Sequence, residues 1–175
     1  MRKPTWIAGI LRAGWLVSVI AGIALNQLAH AEKPALGASA PDFTLHSDTP
    51  FNLRLSEQKG QIVVVVFWSS WCRSCNDLLE SLRSTENKFS QYGVKVWAIT
   101  LDKNPEDAQH FNQHRDLGLT ILYDDSFFVS EHYDIEELPS TAIIDRDGVI
   151  RYLHDGYESG DIEKLDELLQ KLVLE

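Results

Sequence analysis

The sequence predicts an α/β protein with a central mixed sheet and helices on both of its faces. An unbroken apolar run rich in β-branched residues, 62–67, is typical of a central strand that is covered on both sides. Apolar residues at helical spacing follow this run directly. Near the C-terminus, Asp147-Gly148 separates two alternating segments and predicts an antiparallel hairpin, which makes the sheet mixed rather than parallel.

The first 31 residues have the pattern of a secretory signal. Basic residues precede an uncharged apolar run, 13–25, and Ala29-His30-Ala31 supplies the small residues of a cleavage site. This run is shorter than the roughly 20 residues that a membrane span needs, so we expect cleavage after Ala31. The alternative is an uncleaved anchor formed by residues 7–25. In both cases we expect a periplasmic or otherwise exported protein, which contacts the membrane only if this segment is retained.

The exported part of the chain is strongly acidic. The whole sequence has 16 Lys and Arg against 26 Asp and Glu, a net charge of -10. The first 31 residues contain three basic and no acidic residues, so residues 32–175 have 13 basic and 26 acidic groups and a net charge of -13. Such a surface repels phosphate backbones, which argues against nucleic acid as a partner. A content of 44% hydrophobic residues excludes a disordered chain.

Within the exported part, we expect a short tether at 32–40 and one domain at 41–175. Strand 62–67 leads into a helix with Cys75, Leu78 and Phe89 on its apolar side. Asn104 is the predicted cap of a helix that continues to about residue 117, because Pro and acidic residues follow it in the first turn. The other predicted elements are strands at 94–101, 120–123, 141–144 and 149–153, and helices at 127–133 and from about 161.

The two cysteines, Cys72 and Cys75, lie where the first strand passes into its helix. Unsatisfied N–H groups and the positive end of the helix dipole favour a thiolate at Cys72, and Arg73 adds a positive charge beside it. We therefore expect Cys72 to attack the disulfide of a partner. Cys75, one turn further in, would resolve the mixed disulfide by forming a redox disulfide, Cys72–Cys75. Outside the cytosol this pair is either oxidised or actively kept reduced.

Other roles for the cysteine pair are less favoured. A structural disulfide that closes so small a loop would restrict the unfolded chain little. Zinc prefers four ligands, and the sequence has no second Cys-x-x-Cys, so we expect no metal and no cofactor. Copper(I) suits soft thiolates, which leaves open a Cu(I)-binding metallochaperone that uses the same cysteines.

Two further motifs have simpler interpretations. His110 and His114 have a spacing that can place two imidazoles on one metal, but no acidic base follows the first, and an exposed helix face is expected. The segment 145–148 is similar to a fragment of a calcium loop. Its remaining ligand positions are missing, so a hairpin turn is expected there.

Several separated motifs occur in order over residues 37–173. They are Gly37-x-x-Ala40-Pro41-Asp42-Phe43-x-Leu45, Leu53-x-Leu55-Ser56, Lys59-Gly60, Phe67-Trp68-Ser69-Ser70-Trp71-Cys72-x-x-Cys75, Tyr133-Asp134-Ile135-x-x-Leu138-Pro139-Ser140-Thr141 and Ile144-Asp145-Arg146-Asp147-Gly148. In this combination the sequence resembles the TlpA/ResA family of exported thioredoxin-like proteins, within the redoxin or AhpC-TSA-like superfamily. The resemblance implies a thioredoxin fold with an N-terminal β extension.

The resemblance also implies how a partner is bound. It places a cis peptide between Leu138 and Pro139, opposite the cysteine pair, and an X-Pro bond is the kind that adopts cis at low cost. In this arrangement the Leu138 backbone pairs with an extended segment of the partner. Trp71 is expected to form an apolar docking surface beside Cys72, whereas Trp68 is expected in the core.

The sequence departs from the family pattern in its acid–base groups. Relatives often have a Glu three residues after the second cysteine and a Pro two residues beyond it, and here these positions are Leu78 and Glu80. We hypothesise that Glu80, or as a second choice Glu137, accepts the proton of Cys75, the alternative being that both are solvated surface charges. Val66 stands where cytosolic thioredoxins have a buried Asp, so that route for the proton is absent.

The function implied by the resemblance is that of an exported thiol:disulfide oxidoreductase. It would reduce disulfides of other exported proteins, with apocytochromes c (cytochrome c-type biogenesis) or copper-site proteins as candidate substrates. A membrane-embedded electron donor of the thiol-transferring type would restore the dithiol. The alternatives are a periplasmic dithiol oxidase or isomerase and the Cu(I)-binding metallochaperone.

Overall fold

The structure is a computed structural model that describes residues 34–175. The predicted signal peptide and its alternative, the anchor at 7–25, lie outside the described residues. The strands are β1 Thr44–Ser47, β2 Asn52–Arg54, β3 Ile62–Trp68, β4 Val94–Thr100, β5 Thr120–Tyr123, β6 Ser140–Ile144 and β7 Ile150–Asp155. The α-helices are α1 Arg73–Phe89, α2 Pro105–Arg115, α3 Phe128–His132 and α4 Asp161–Leu174.

The seven strands form one mixed sheet in the order β2-β1-β5-β4-β3-β6-β7. Strands β3, β4 and β5 are parallel, whereas β6 pairs antiparallel with both β3 and β7. At the other edge, β1 pairs antiparallel with β5 and β2, which forms the predicted N-terminal extension. The sequence therefore predicted the mixed sheet and the C-terminal hairpin correctly.

Strand β3 lies in the centre of the sheet, and all seven of its residues are buried. Successive side chains of a strand point to opposite faces, so Val64 and Val66 pack against α1, α2 and α4, whereas Val65 and Phe67 pack under α3 and the N-terminal segment. Burial on both faces explains why the sequence of β3 is continuously apolar rather than alternating. Helices cover both faces, but three of the four lie on the same one.

The N-terminal boundary of the domain differs from the prediction. The amide of Gly37 donates to the carbonyl of Ile150 at 2.8 Å, and the amide of Ala40 donates to the carbonyl of Gly148 at 2.9 Å. Ser39 forms a bridge with Val149. Residues 37–40 are thus joined to the start of β7 and are not part of a free tether. The prediction missed this because backbone pairing leaves no apolar periodicity in the sequence.

The helix boundaries follow the predicted signals closely. The side chain of Asn104 caps α2 by accepting the amide of Glu106 at 3.2 Å, as predicted. Helix α2 ends at Arg115, two residues before the expected end, because Asp116 adopts a left-handed conformation with φ of 47°. Within residues 34–175, no helix has the length and apolar character needed to cross a membrane.

Candidate active site

The cysteine pair lies at the junction of β3 and α1, as the sequence predicts. Cys72 is the N-cap of α1, and its Sγ accepts the amide N–H of Cys75 at 3.2 Å. The two residues are joined in a disulfide. Cys72 is 6% exposed and Cys75 is fully buried, so Cys72 is the sulfur that a partner can reach first. An N–H aimed at Sγ stabilises negative charge there when the disulfide is reduced.

A buried carboxylate holds the loop immediately before Cys72. Asp102, which follows β4, accepts the backbone N–H of Ser70 at 2.9 Å and its hydroxyl at 3.0 Å. The hydroxyl of Thr100 donates to the same carboxylate at 2.9 Å. Sequence reasoning missed Asp102. The signal that could have found it is an acidic residue two positions after the end of a buried strand parallel to β3, because the carboxyl ends of parallel neighbours meet at one edge of a sheet.

The two tryptophans near the cysteines have different environments. Trp68 is fully buried, and its ring centroid lies 5.0 Å from that of Phe111 on α2. Trp71 is 74% exposed beside Cys72. Trp68 therefore belongs to the core, as expected, and the exposure of Trp71 leaves its predicted role as a docking surface a prediction.

The peptide between Leu138 and Pro139 is cis, as the family resemblance implies. Ser140 is opposite Phe67 in the pairing of β6 with β3, so Pro139 lies level with the end of β3 from which the cysteine loop starts. Pro139 is buried, and Leu138 is half-buried. The carbonyl of Pro139 accepts the amide of Gly156 at 2.7 Å, which ties the loop to the end of β7.

A groove runs from Trp71 along the loops that follow β4 and α3. Its apolar walls come from Trp71, Leu101, Phe127, Ile135 and Leu138. Its polar lining consists of Asp102, Lys103, Asn104, Asp107, Glu136 and Glu137. The groove is therefore lined both by Trp71, the residue next to Cys72, and by Leu138, the residue next to Pro139, and we call it the Trp71 groove.

The structure gives Glu80 a partner other than Cys75. Its carboxylate forms a salt bridge with Arg115 of α2 at 2.6 Å. Five helical residues correspond to about 140° around the axis, so Glu80 and Cys75 lie on different faces of α1. Leu78, three residues after Cys75, shares its buried face. This geometry disfavours the hypothesis that Glu80 takes the proton of Cys75. Glu137 lies in the wall of the Trp71 groove.

The remaining predicted motifs lie away from the cysteines. His110 and His114 are exposed on α2, and Nδ1 of His114 lies 2.6 Å from the backbone oxygen of His110. The segment 145–148 forms the predicted turn, in which a carboxylate oxygen of Asp145 accepts the amides of Asp147 at 3.0 Å and Val149 at 2.9 Å. Val66 is fully buried in the same core cluster as the cysteines.

Comparison with known proteins identifies the kind of site that this geometry forms. The sequence profile of the AhpC/TSA family matches residues 36–153. The chain is 26% identical over 160 residues to the thiol-disulfide oxidoreductase ResA of Geobacillus kaustophilus (strain HTA426), with 89% of this chain and 92% of that protein covered.

Solved structures agree with this relationship. A candidate thiol:disulfide interchange protein DsbE from Chlorobium tepidum is 28% identical, with a TM-score of 0.77 over 81% of this chain and 99% of that chain. The thioredoxin domain of a thiol-disulfide oxidoreductase from Bacteroides vulgatus is 26% identical, with a TM-score of 0.69 over 79% of this chain and 98% of that chain. These similarities confirm the thioredoxin fold predicted from the sequence.

Proposed function

The chain belongs to the AhpC/TSA family and is a thiol:disulfide oxidoreductase, and we propose that it reduces disulfides of exported proteins through Cys72 and Cys75. One observation carries this proposal. Cys72 caps α1 beside the open Trp71 groove, and Cys75 is fully buried behind it. A partner can thus reach Sγ of Cys72, whereas Sγ of Cys75 is shielded and can react only after a mixed disulfide has formed at Cys72.

The geometry supports a two-step exchange. In the first step, the Cys72 thiolate attacks one sulfur of the partner's disulfide, and the other partner sulfur leaves as a thiolate. In the second step, the thiolate of Cys75 attacks Sγ of Cys72, which forms the Cys72–Cys75 disulfide and releases the second partner thiolate. The partner gains two electrons, the protein loses two, and the departing thiolates take up protons from water.

We assign supporting roles to three residues around the sulfurs. The exposed ring of Trp71 would cover apolar parts of the partner beside Cys72. Leu138 would offer its backbone to an extended segment of the partner, and Pro139, which has no N–H, would shape this edge without competing for its acceptors. Glu137, which lines the Trp71 groove, is the remaining candidate for proton transfer with Cys75.

The proposed location and electron donor follow from the chemistry. The N-terminal sequence pattern supports export, and an exported dithiol meets an oxidising compartment. Each turnover converts the dithiol to a disulfide, so a second dithiol must reduce it again. We propose that a membrane-embedded carrier of the thiol-transferring type does this, because such a carrier can bring electrons across the membrane.

The reduction potential of the Cys72–Cys75 pair tests the direction of electron flow. We expect a value near that of thioredoxin, about -270 mV, when the purified protein is equilibrated against a dithiothreitol series and its free thiols are counted. A value near about -120 mV would identify an oxidant and contradict the proposal. Stoichiometric Cu(I) binding in competition with a strong chelator, with negligible reduction of insulin disulfides, would identify a metallochaperone instead.

A further inference from the structure

The Trp71 groove has a marked charge asymmetry that the exchange chemistry does not require. Its lining includes three exposed carboxylates, those of Asp107, Glu136 and Glu137, against one exposed ammonium, that of Lys103. The carboxylate of Asp102 is buried at the same edge. Thiol–disulfide exchange does not need these carboxylates, because it would also proceed in a neutral groove. Their role is therefore separate from the exchange chemistry.

The three exposed carboxylates are unneutralised in the part of the chain that the structure describes. No ion pair within residues 34–175 involves Asp107, Glu136 or Glu137. The single cation, Lys103, lies with its Nζ 5.8 Å from the centroid of the Phe127 ring. The groove therefore presents net negative charge to an incoming partner, and a cationic segment complements it.

Phe127 contributes to the apolar lining of the groove from an unusual backbone conformation. This residue has φ of 60° and ψ of 13°, a left-handed conformation that is unfavourable for a bulky side chain. Its amide donates to the carbonyl of Asp124 at 3.0 Å, and its carbonyl accepts the hydroxyl of Ser130 at 3.1 Å. The buried carboxylate of Asp124 accepts the amides of Val129 and Ser130 at the start of α3.

Backbone strain that the surroundings enforce is found most often at functional positions. In this case the strained residue contributes an aromatic side chain to the lining of the Trp71 groove. The half-buried side chains of Leu101, Ile135 and Leu138 line the same groove. This apolar lining suits one large apolar side chain of a partner.

We infer that the Trp71 groove selects cationic disulfide substrates, namely extended segments with a large apolar residue beside the reactive cysteine and Lys or Arg residues nearby. This inference rests on the proposed function. A segment paired with the backbone of Leu138 would run past Glu136 and Glu137, which precede it in the same loop. Attraction by these carboxylates raises the rate at which such a segment associates.

Matched peptides test this inference. Each contains one cysteine, joined by a disulfide to neutral 2-mercaptoethanol, with Leu beside it and either two Lys, two Gln or two Glu nearby. The reduced full chain is mixed with each peptide, and the second-order rate constant of reduction is measured. We expect the Lys peptide to react about tenfold faster than the Glu peptide at low ionic strength, with the Gln peptide between them. Added salt should reduce this ratio.

Two double variants assign the preference to the groove. Glu136→Gln with Glu137→Gln should lower the Lys-to-Glu rate ratio at least threefold. Glu57→Gln with Asp147→Asn removes two exposed charges from the loops near the start of β3, the end opposite the cysteines, and should leave the ratio unchanged. Because each ratio compares peptides on the same protein, a change in thiol reactivity cancels. A third variant, Phe127→Gly, removes the ring from a backbone conformation that glycine accepts. It is tested with the Lys peptide and a matched peptide in which Gly replaces Leu, and it should reduce the rate advantage of the Leu peptide.

The outcomes separate this inference from the function on which it rests. Reduction of bis(2-hydroxyethyl) disulfide, which is small and neutral, reports the exchange chemistry alone. If the protein reduces it but treats the Lys and Glu peptides alike, or if both double variants change the ratio equally, the inference is wrong and the proposed function stands. If this disulfide is not reduced at all, both are wrong. Rate constants that fall with rising protein concentration would indicate a second copy of the chain in the groove, which would also overturn the inference.

Discussion

The carboxylate of Asp102 accepts several hydrogen bonds that hold the loop before Cys72 in place. Its carboxylate accepts from the amide and hydroxyl of Ser70 and from the hydroxyl of Thr100, and the side chain is only 4% exposed. A buried acceptor with several donors is costly to remove because each donor then lacks a partner. The position of Cys72 relative to the Trp71 groove thus depends on a residue 30 positions away in the sequence.

Asp102→Asn should therefore lower both stability and the rate of exchange. The amide group can accept fewer of these hydrogen bonds and brings its own donors toward those of Ser70. We expect the free energy of unfolding in urea at pH 7 to fall by about 1–3 kcal/mol, and the reduction of protein disulfides to slow. Ser70→Ala keeps the backbone N–H and should cost less. Asp125→Asn, on an exposed residue, should change stability by less than about 0.5 kcal/mol, and an equal loss in that control would refute the assignment.

On the scale of elements, helix α1 determines which residues can act on the cysteines. Cys75 and Leu78 share its buried face, whereas Glu80 faces α2 and forms a salt bridge with Arg115. An acid at position 80 therefore lies in a different environment from an acid at position 78, although the two positions are only two residues apart. Proximity in sequence to Cys75 was the only basis for proposing Glu80 as its proton acceptor.

We expect Glu80→Gln to leave the pH dependence of the exchange rate unchanged. The variant should lose only the salt bridge with Arg115, which is partly exposed and contributes about 0–1 kcal/mol to stability. Arg115→Gln should have a similar effect on unfolding in urea, because it removes the same pair. A shift of the pH–rate profile in Glu80→Gln, absent from Arg115→Gln, would restore Glu80 as the proton acceptor.

The limits of prediction from sequence follow from the range of the interactions. The cysteine pair, the cap Asn104 and the strand β3 were predictable because their signals lie in adjacent residues. The cis bond at Pro139 came from the family resemblance. Asp102 was missed because its partner Ser70 lies 32 residues away, and residues 37–40 were missed because they pair through backbone atoms. The left-handed conformation of Phe127 is imposed by contacts around Asp124, so the identity of the residue gives no indication of it.

At the scale of the whole molecule, hydrogen-bonded carboxylates connect the outer segments to the sheet. Asp42 accepts the amide of Ser56 and the guanidinium of Arg54, and Asp145 closes the turn between β6 and β7. Asp161 accepts the amide of Glu158 at 2.7 Å and contacts Lys164 and His154, which links the start of α4 to β7. These bonds outweigh burial and hold the pKa of each of the three carboxyls below its ordinary value.

This arrangement predicts a specific loss of stability in acid. A carboxyl whose pKa is lower in the folded state stabilises the fold above its ordinary pKa near 3.8, and the contribution disappears as the pH falls through the lower, folded-state pKa. Glu86 acts in the opposite direction, because burial raises its pKa and its protonation relieves a cost of folding. Protonation also makes the net negative charge of residues 32–175 smaller, which weakens the repulsion within the fold. The total stability in acid therefore combines opposing trends.

Comparison of Asp161→Asn with the unsubstituted protein isolates one of these contributions. The hydrogen bond from the amide of Glu158 is the largest cause of the lowered pKa of Asp161, with Lys164 and His154 adding to it. The variant should be less stable to urea at pH 7, and the difference should shrink as the pH is lowered below about 4, because the native carboxyl becomes protonated as well. Glu163→Gln, an exposed substitution on the same helix, should show no such pH dependence. A difference between Asp161→Asn and the native protein that stays constant from pH 7 to pH 3 would mean that the charge of Asp161 does not stabilise the fold.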